Sequence, residues 1–196
     1  MVSSIERELK TLINKAEYDK LYTYFNLQNQ PKIIQSNYYY DTADEIFKQN
    51  NAALRLRVFD DGQSEWTIKE RVSELESIEL TQFNQDKVTD APDALNEDII
   101  YSADIQEFIA SRNIVWADIK RTMSLTTERY NIEVPYGLYA LDHTQYPQAE
   151  DYELELESQD IEVALEQFNS LLASVDISYK QAETKLARAH RYFTNE

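Results

Sequence analysis

Glu6, Glu8 and Lys10 occupy alternate positions near the start of the chain, and the same spacing returns in Arg55 and Arg57 and again in Glu153 and Glu155. Alternate residues of an extended strand share one face, so each group presents its charges side by side. Two carboxylates placed this way offer hard oxygen ligands suited to magnesium or manganese. Two guanidiniums placed this way form forks that grip phosphate oxygens bidentately. Lys69, Glu79, Arg129 and Asp142 add charge to the polar faces of other strand-like segments. An interior holding both signs is costly unless its charges are paired or ligated, and a polyanion with divalent cations would complete it. For any one strand the competing reading is a charged face turned to solvent, as antiparallel sheets allow. That reading weakens when all strands are taken together, because solvent faces usually mix in Ser, Thr, Asn and Gln.

The segments that must position these charges follow from periodicity. Strands are predicted at residues 5–12, 33–40, 53–59, 65–71, 77–81, 115–125, 128–134, 138–144 and 152–157. The clearest hairpin reverses at Asp60-Asp61-Gly62-Gln63. Helices are predicted at 15–26, capped by Asn14, then over 86–112, 161–173 and 183–193. Strands in two runs around a helical segment indicate an antiparallel α+β protein. About eight strands suffice to close a barrel, which removes the exposed edges of an open sheet. The length of 196 residues fits a single domain spanning 1–196.

Composition excludes several chemistries. With 2 Gly in the whole chain, no glycine-lined phosphate cradle of the Walker type can be built. Without Cys there is no disulfide, thiolate metal site or Cys nucleophile. His143 and His190 are the two histidines, too few for a His-rich zinc site, and both are read as structural. A net charge of −17 argues against nucleic acid or an anionic membrane as partner. No apolar leader or membrane-spanning stretch is read, so a soluble, cytoplasmic protein is expected.

The opening Glu6-Arg7-Glu8-Leu9-Lys10 resembles the E-x-E-x-K signature of the CYTH, or triphosphate tunnel metalloenzyme, family. The order that follows is also similar: Tyr39-Tyr40-Asp41-Thr42, Leu54-Arg55-Leu56-Arg57, Thr67-Ile68-Lys69, Leu141-Asp142, Glu153-Leu154-Glu155 and Thr184-Lys185-Leu186-Ala187-Arg188. Within the family the chain looks most like the YjbK-like bacterial subgroup.

The resemblance implies a closed eight-stranded antiparallel β-barrel, a tunnel with helices packed outside and charges lining its bore. It implies metal ligation by Glu6, Glu8, Glu79, Asp142, Glu153 and Glu155, with Mg2+ or Mn2+ as cofactor. Phosphate contacts fall to Lys10, Arg55, Arg57, Lys69, Lys120, Arg121, Arg129, Lys185 and Arg188, and catalysis centres on Glu6, Glu8 and Lys10. Strand parity favours Glu79 over Glu76 and leaves Glu157 at the rim. It also turns one of Lys120 and Arg121 outward. Lys185 and Arg188 admit a second reading, as basic residues complementing the dipole of the last helix.

The implied activity is metal-dependent hydrolysis of a small triphosphate, inorganic tripolyphosphate first and thiamine triphosphate second. Cyclisation of ATP to cyclic AMP and triphosphate binding without turnover are the alternatives.

Overall fold

The structure, a computed structural model, describes residues 2–180 and 182–194. Eight strands form a closed barrel in the order β1-β5-β4-β3-β2-β6-β7-β8. They are β1 (Val2–Ile13), β2 (Ile33–Asp41), β3 (Ala52–Phe59), β4 (Ser64–Arg71), β5 (Glu76–Phe83), β6 (Lys120–Val134), β7 (Gly137–Tyr146) and β8 (Ala149–Glu157). The helices are α1 (Lys15–Tyr24), α2 (Ile46–Gln49), α3 (Ala103–Ser111), α4 (Ile161–Ser174) and α5 (Lys185–Thr194). None of them, among the described residues, is long and apolar enough to cross a membrane. The chain divides into two compact units: Gln35–Ser124 with the residues up to Ile5, and Glu6–Ile34 with the residues from Leu125 onward.

In the first unit, β2 to β5 form an antiparallel meander whose register sets which side chains share a face. Arg55 lies opposite Thr67, Arg57 opposite Glu65, and Lys69 opposite Glu79. The other face carries Leu54, Leu56, Trp66 and Ile68, all buried against Phe47 of α2 and Ile105, Phe108 and Ile109 of α3. Burying each such side chain contributes about 1.5–3 kcal/mol, so the apolar face goes under the helices and the charged face is left to the other side of the sheet.

The second unit repeats this division. Leu9, Leu141, Leu154 and Leu156 bury their side chains beneath Leu21 of α1 and Phe168, Leu171 and Leu172 of α4. The opposite face aligns Arg129 with Asp142, Asp142 with Glu153, and Lys10 with Glu155. Entry into α1 is fixed by a capping box in which Asn14 accepts from the Glu17 amide and the Glu17 carboxylate accepts from the Asn14 amide. Asp160 caps α4 in the same sense, accepting from the amides of Glu162 and Val163.

Three predicted elements differ. The helix expected over 86–112 is confined to α3 (Ala103–Ser111). Pro92 has no amide to donate and biases the residue before it away from helical geometry. The apolar residues Ala94, Leu95 and Ile99 are spaced as in a helix, but the buried ones are Ala91, Leu95 and Ile100, and the backbone is tied down otherwise. The Gln82 side-chain oxygen accepts from the Tyr101 and Ser102 amides, and the Arg121 amide donates to the Asp93 carbonyl. The strands expected at 115–125 and 128–134 form one continuous β6, preceded by a 3-10 turn at Trp116–Asp118. Thr127, read as lying in the gap, stays in the ladder opposite Thr144, with the two hydroxyls 3.3 Å apart.

Gly137 opens β7 with φ of 155°, and a Cβ built there would lie 2.1 Å from the Glu157 carbonyl oxygen. Backbone at that distance has to move, displacing the start of β7 from β8. Gly137→Ala is therefore expected to cost about 2 kcal/mol or more and to lower Tm by several degrees, as read by thermal unfolding. An unchanged Tm would show that this junction tolerates a Cβ.

Candidate functional site

The inward charges of the second unit form one connected network. Asp142 on β7 is fully buried and accepts from Arg129 on β6 through two nitrogens, Nε at 2.7 Å and Nη2 at 2.6 Å. The same guanidinium reaches Glu155 on β8. Lys185, the first residue of α5, places its ammonium 2.7 Å from Asp142, 2.7 Å from Glu153 and 2.9 Å from Glu155. Arg188, one turn later, is fully buried and donates to Asp151 at 2.7 Å and to the other oxygen of Glu153. On β1, Lys10 donates to Glu8 at 2.7 Å, and Glu6 and Glu8 share the face of Lys10, all three half-buried.

Asp142, Glu153 and Glu155 each offer an oxygen, and the three atoms lie within 4.8 Å of one another. A set of hard carboxylate oxygens at this spacing is the donor type magnesium and manganese take, so the residues fit a divalent cation. Electrostatics point the same way. Burial pushes the Glu153 carboxyl up to about 7, its nearest cations only partly offsetting the cost. Burial also acts against ionised Glu155, but Lys185 and Arg129 outweigh it and hold this carboxyl well below the ordinary range. Burial alone would lower Lys185, and the charges of Asp142, Glu153 and Glu155 instead raise it well above the usual lysine value. Four carboxylates, Asp142, Asp151, Glu153 and Glu155, meet three cations, Arg129, Lys185 and Arg188. With all four ionised, that count leaves one net negative charge in a site largely shielded from water, an excess that the raised Glu153 carboxyl reflects.

In the first unit, Arg57 donates to Glu65 at 2.9 Å and to Asn37 at 3.3 Å, and Arg55 lies 4.0 Å from the same carboxylate. Lys69 is 3.5 Å from Glu79 across the β4–β5 ladder, and Glu79 is buried. Lys120 is exposed, whereas the Arg121 guanidinium is engaged by Asp93 and by the Ala91 carbonyl at 3.1 Å. Glu157 is exposed at the end of β8. His143 stacks on Tyr152 and pairs with Glu150 at 2.8 Å, on the face opposite Asp142.

The structure thus joins Arg129, Asp142, Glu153, Glu155, Lys185 and Arg188 in one network and groups Arg55 with Arg57. Arg121 is instead engaged by Asp93 and the Ala91 carbonyl, and Lys120 is exposed. Lys185 and Arg188 also fall at the opposite end of the helix from the one the dipole reading needs. They lie in the first turn of α5, where Thr184 accepts from the Ala187 amide, and a cation there is disfavoured by the helix dipole. Carboxylates, not the dipole, account for their placement. Two network residues were passed over in the sequence, Asp151 and Glu65. Both were legible by spacing: Asp151 continues the alternation of Glu153 and Glu155, and Glu65 that of Thr67 and Lys69.

A closed antiparallel barrel that hides its apolar faces under helices and keeps ion-paired acids and bases on the opposite faces defines a distinctive class of protein. The chain belongs to the CYTH domain family, which matches residues 4–190. It is 29% identical over 188 residues to the candidate triphosphatase YjbK of Bacillus subtilis (strain 168), covering 96% of this chain and 95% of that protein. Among solved structures it is similar to a candidate adenylate cyclase of Bacillus halodurans, with 28% identity, a TM-score of 0.84 and 96% and 98% of the two chains covered. It shares its fold with HpAC1 from Hippeastrum, a candidate adenylyl cyclase described as having a dominant triphosphatase activity, at 19% identity, a TM-score of 0.79 and coverage of 96% and 95%. The family implies a divalent metal, and the Asp142, Glu153 and Glu155 carboxylates supply a donor set for one.

Removing one partner of a buried ion pair leaves the other charge without compensation, at a cost of about 3–5 kcal/mol. Arg188→Leu is accordingly expected to destabilise the fold by that amount, with Asp151 and Glu153 left facing one another. Chemical denaturation checks this, and a loss below about 1 kcal/mol would show that Arg188 is dispensable for stability.

Proposed function

We propose that this protein is a divalent-metal-dependent triphosphatase, with inorganic tripolyphosphate as the first substrate to test and thiamine triphosphate as the second. The observation that carries the reading is the carboxylate triad Asp142, Glu153 and Glu155, held within 4.8 Å on the inward faces of β7 and β8. The CYTH family membership and the resemblance to YjbK support it. The chain acts as one CYTH domain. Its net charge of −17 supports a small substrate over nucleic acid or a membrane surface.

Asp142, Glu153 and Glu155 would hold the ion, with Glu6 and Glu8 supplying further carboxylates from β1. A bound magnesium or manganese ion would neutralise the triphosphate and lower the pKa of the attacking water. In the first unit, Arg55 and Arg57 carry guanidinium forks suited to phosphate oxygens and Lys69 a point charge; in the second, Lys10 and Arg129 carry positive charge beside the carboxylates. Phosphoryl transfer asks little covalent chemistry of side chains, so positioning and charge neutralisation by these groups suffice. Water oxygen forms the new bond to the terminal phosphorus as the bridging P–O bond breaks, releasing inorganic phosphate and a diphosphate.

The test is phosphate release from tripolyphosphate, thiamine triphosphate and ATP, each with Mg2+ and Mn2+. Release from at least one of them is expected, falling at least about a hundredfold in Glu8→Gln and Glu153→Gln while the far-ultraviolet circular dichroism stays native. Metal-dependent release that these substitutions leave intact, or no release from any of the three, would sink the reading. The resemblance to the Bacillus halodurans protein favours ATP cyclisation as a second reading. Mass spectrometry of the ATP reactions separates the two: cyclic AMP with pyrophosphate marks the cyclase, ADP with phosphate the hydrolase.

A further inference from the structure

Lys185 stands where its own helix gives it no support. Its backbone opens α5, at the positive end of the helix dipole, yet its ammonium contacts Asp142, Glu153 and Glu155 together at 2.7, 2.7 and 2.9 Å. Those are the three carboxylates that make up the cation-type cluster. One ammonium therefore sits at the point where their oxygens converge. We propose that Lys185 is a built-in placeholder cation: it holds this cluster together in the metal-free protein and has to withdraw when a divalent ion takes the same oxygens.

Three observations carry this. The first is the coincidence of position: an ammonium in contact with all three acids cannot share those oxygens with an ion they chelate. Charge is the second. With Glu153 ionised, four carboxylates face three cations in the cluster, and exchanging the single charge of Lys185 for a double one brings the count to zero. The third is the contrast between the two basic residues of α5. Arg188 is fully buried, with its guanidinium shared between Asp151, Glu153 and the Glu183 carbonyl. A planar fork held at several points anchors the helix. Lys185 instead carries its charge on a flexible four-carbon stem and keeps 15% of its side-chain surface exposed. It can swing out without undocking α5, while Arg188 stays.

This device also answers a folding problem. With neither the ion nor Lys185 in place, three carboxylates brought so close would repel one another, and Arg129 and Arg188 alone would leave them short of positive charge. The placeholder lets the barrel fold before loading, and its cost is a weaker apparent affinity for metal. The two ligands of one site are thermodynamically linked, so removing the ammonium must strengthen metal binding.

The proposal rests on the cation site of the preceding section, and calorimetric Mn2+ titrations separate the failure of either. Wild-type protein, Lys185→Met, which keeps the length of the stem and loses its charge, and Glu153→Gln are compared. Lys185→Met is expected to bind Mn2+ about tenfold more tightly than wild type, or better, and Glu153→Gln to bind it more weakly than either. Equal or weaker binding by Lys185→Met, with wild type still binding through Glu153, would overturn the placeholder and leave the cation site standing. No Mn2+ binding by wild type or by Lys185→Met would overturn both. Unmodified protein gives a second readout that needs no variant to fold. Reductive methylation followed by peptide mass spectrometry is expected to label Lys185 severalfold faster with Mn2+ than without, and a rate that is unchanged or slower contradicts its withdrawal.

Discussion

Arg129 grips Asp142 with two nitrogens at 2.7 and 2.6 Å, and the rest of the second unit is arranged around making that burial tolerable. Asp142 is fully buried. A lone ionised carboxylate in that position would cost several kcal/mol, so its partners cannot be optional. Arg129 supplies one, and because its guanidinium also touches Glu155 it links β6, β7 and β8 through side chains as well as through the ladder. Lys185 and Arg188 complete the balance from α5, which makes the position of that helix a consequence of the charges on the sheet. The network stabilises the fold only as a whole: the energetic weight lies in what happens when one member is withdrawn.

An arrangement of this kind requires that ordinary hydrophobic stabilisation be obtained elsewhere. Strand parity makes that possible. Leu9, Leu141, Leu154 and Leu156 point away from the charged face and bury under α1 and α4, while Leu54, Leu56, Trp66 and Ile68 do the same beneath α2 and α3. The apolar residues thus build two cores outside the sheet, and the alternate positions are released for chemistry. A shift of one residue in any strand would exchange these faces and place charge in the cores. The constraint on register is therefore strong, and features such as Gly137 at the start of β7 serve it.

Much of this was legible in the sequence because both faces of a strand are written out by alternation. Glu6, Glu8 and Lys10, like Glu153 and Glu155, showed which face would be charged before any pairing was known. Asn14 announced the start of α1 correctly, and the Gly62 turn the β3–β4 hairpin. The illegible parts depend on contacts distant in sequence. Ala94, Leu95 and Ile99 imitate helical spacing, yet the Gln82 side chain, some twenty residues away, organises that segment's end by accepting from the backbone at Tyr101 and Ser102. A helix over 183–193 already places Lys185 and Arg188 near its N-terminal end, against the dipole reading; the carboxylates of β7 and β8 that hold them are distant in sequence. Arg121 looked available for phosphate until Asp93 and the Ala91 carbonyl were found against it.

The oxygens of Asp142, Glu153 and Glu155, satisfied by the Lys185 ammonium, are the site proposed for a divalent ion. Anomalous diffraction at the manganese edge, from crystals grown with Mn2+ and a non-hydrolysable triphosphate analogue, tests it directly. The account predicts an anomalous peak at bonding distance from all three carboxylates, with the Lys185 ammonium turned away from them. A triad still bridged by Lys185, with manganese absent or bound elsewhere, would contradict it.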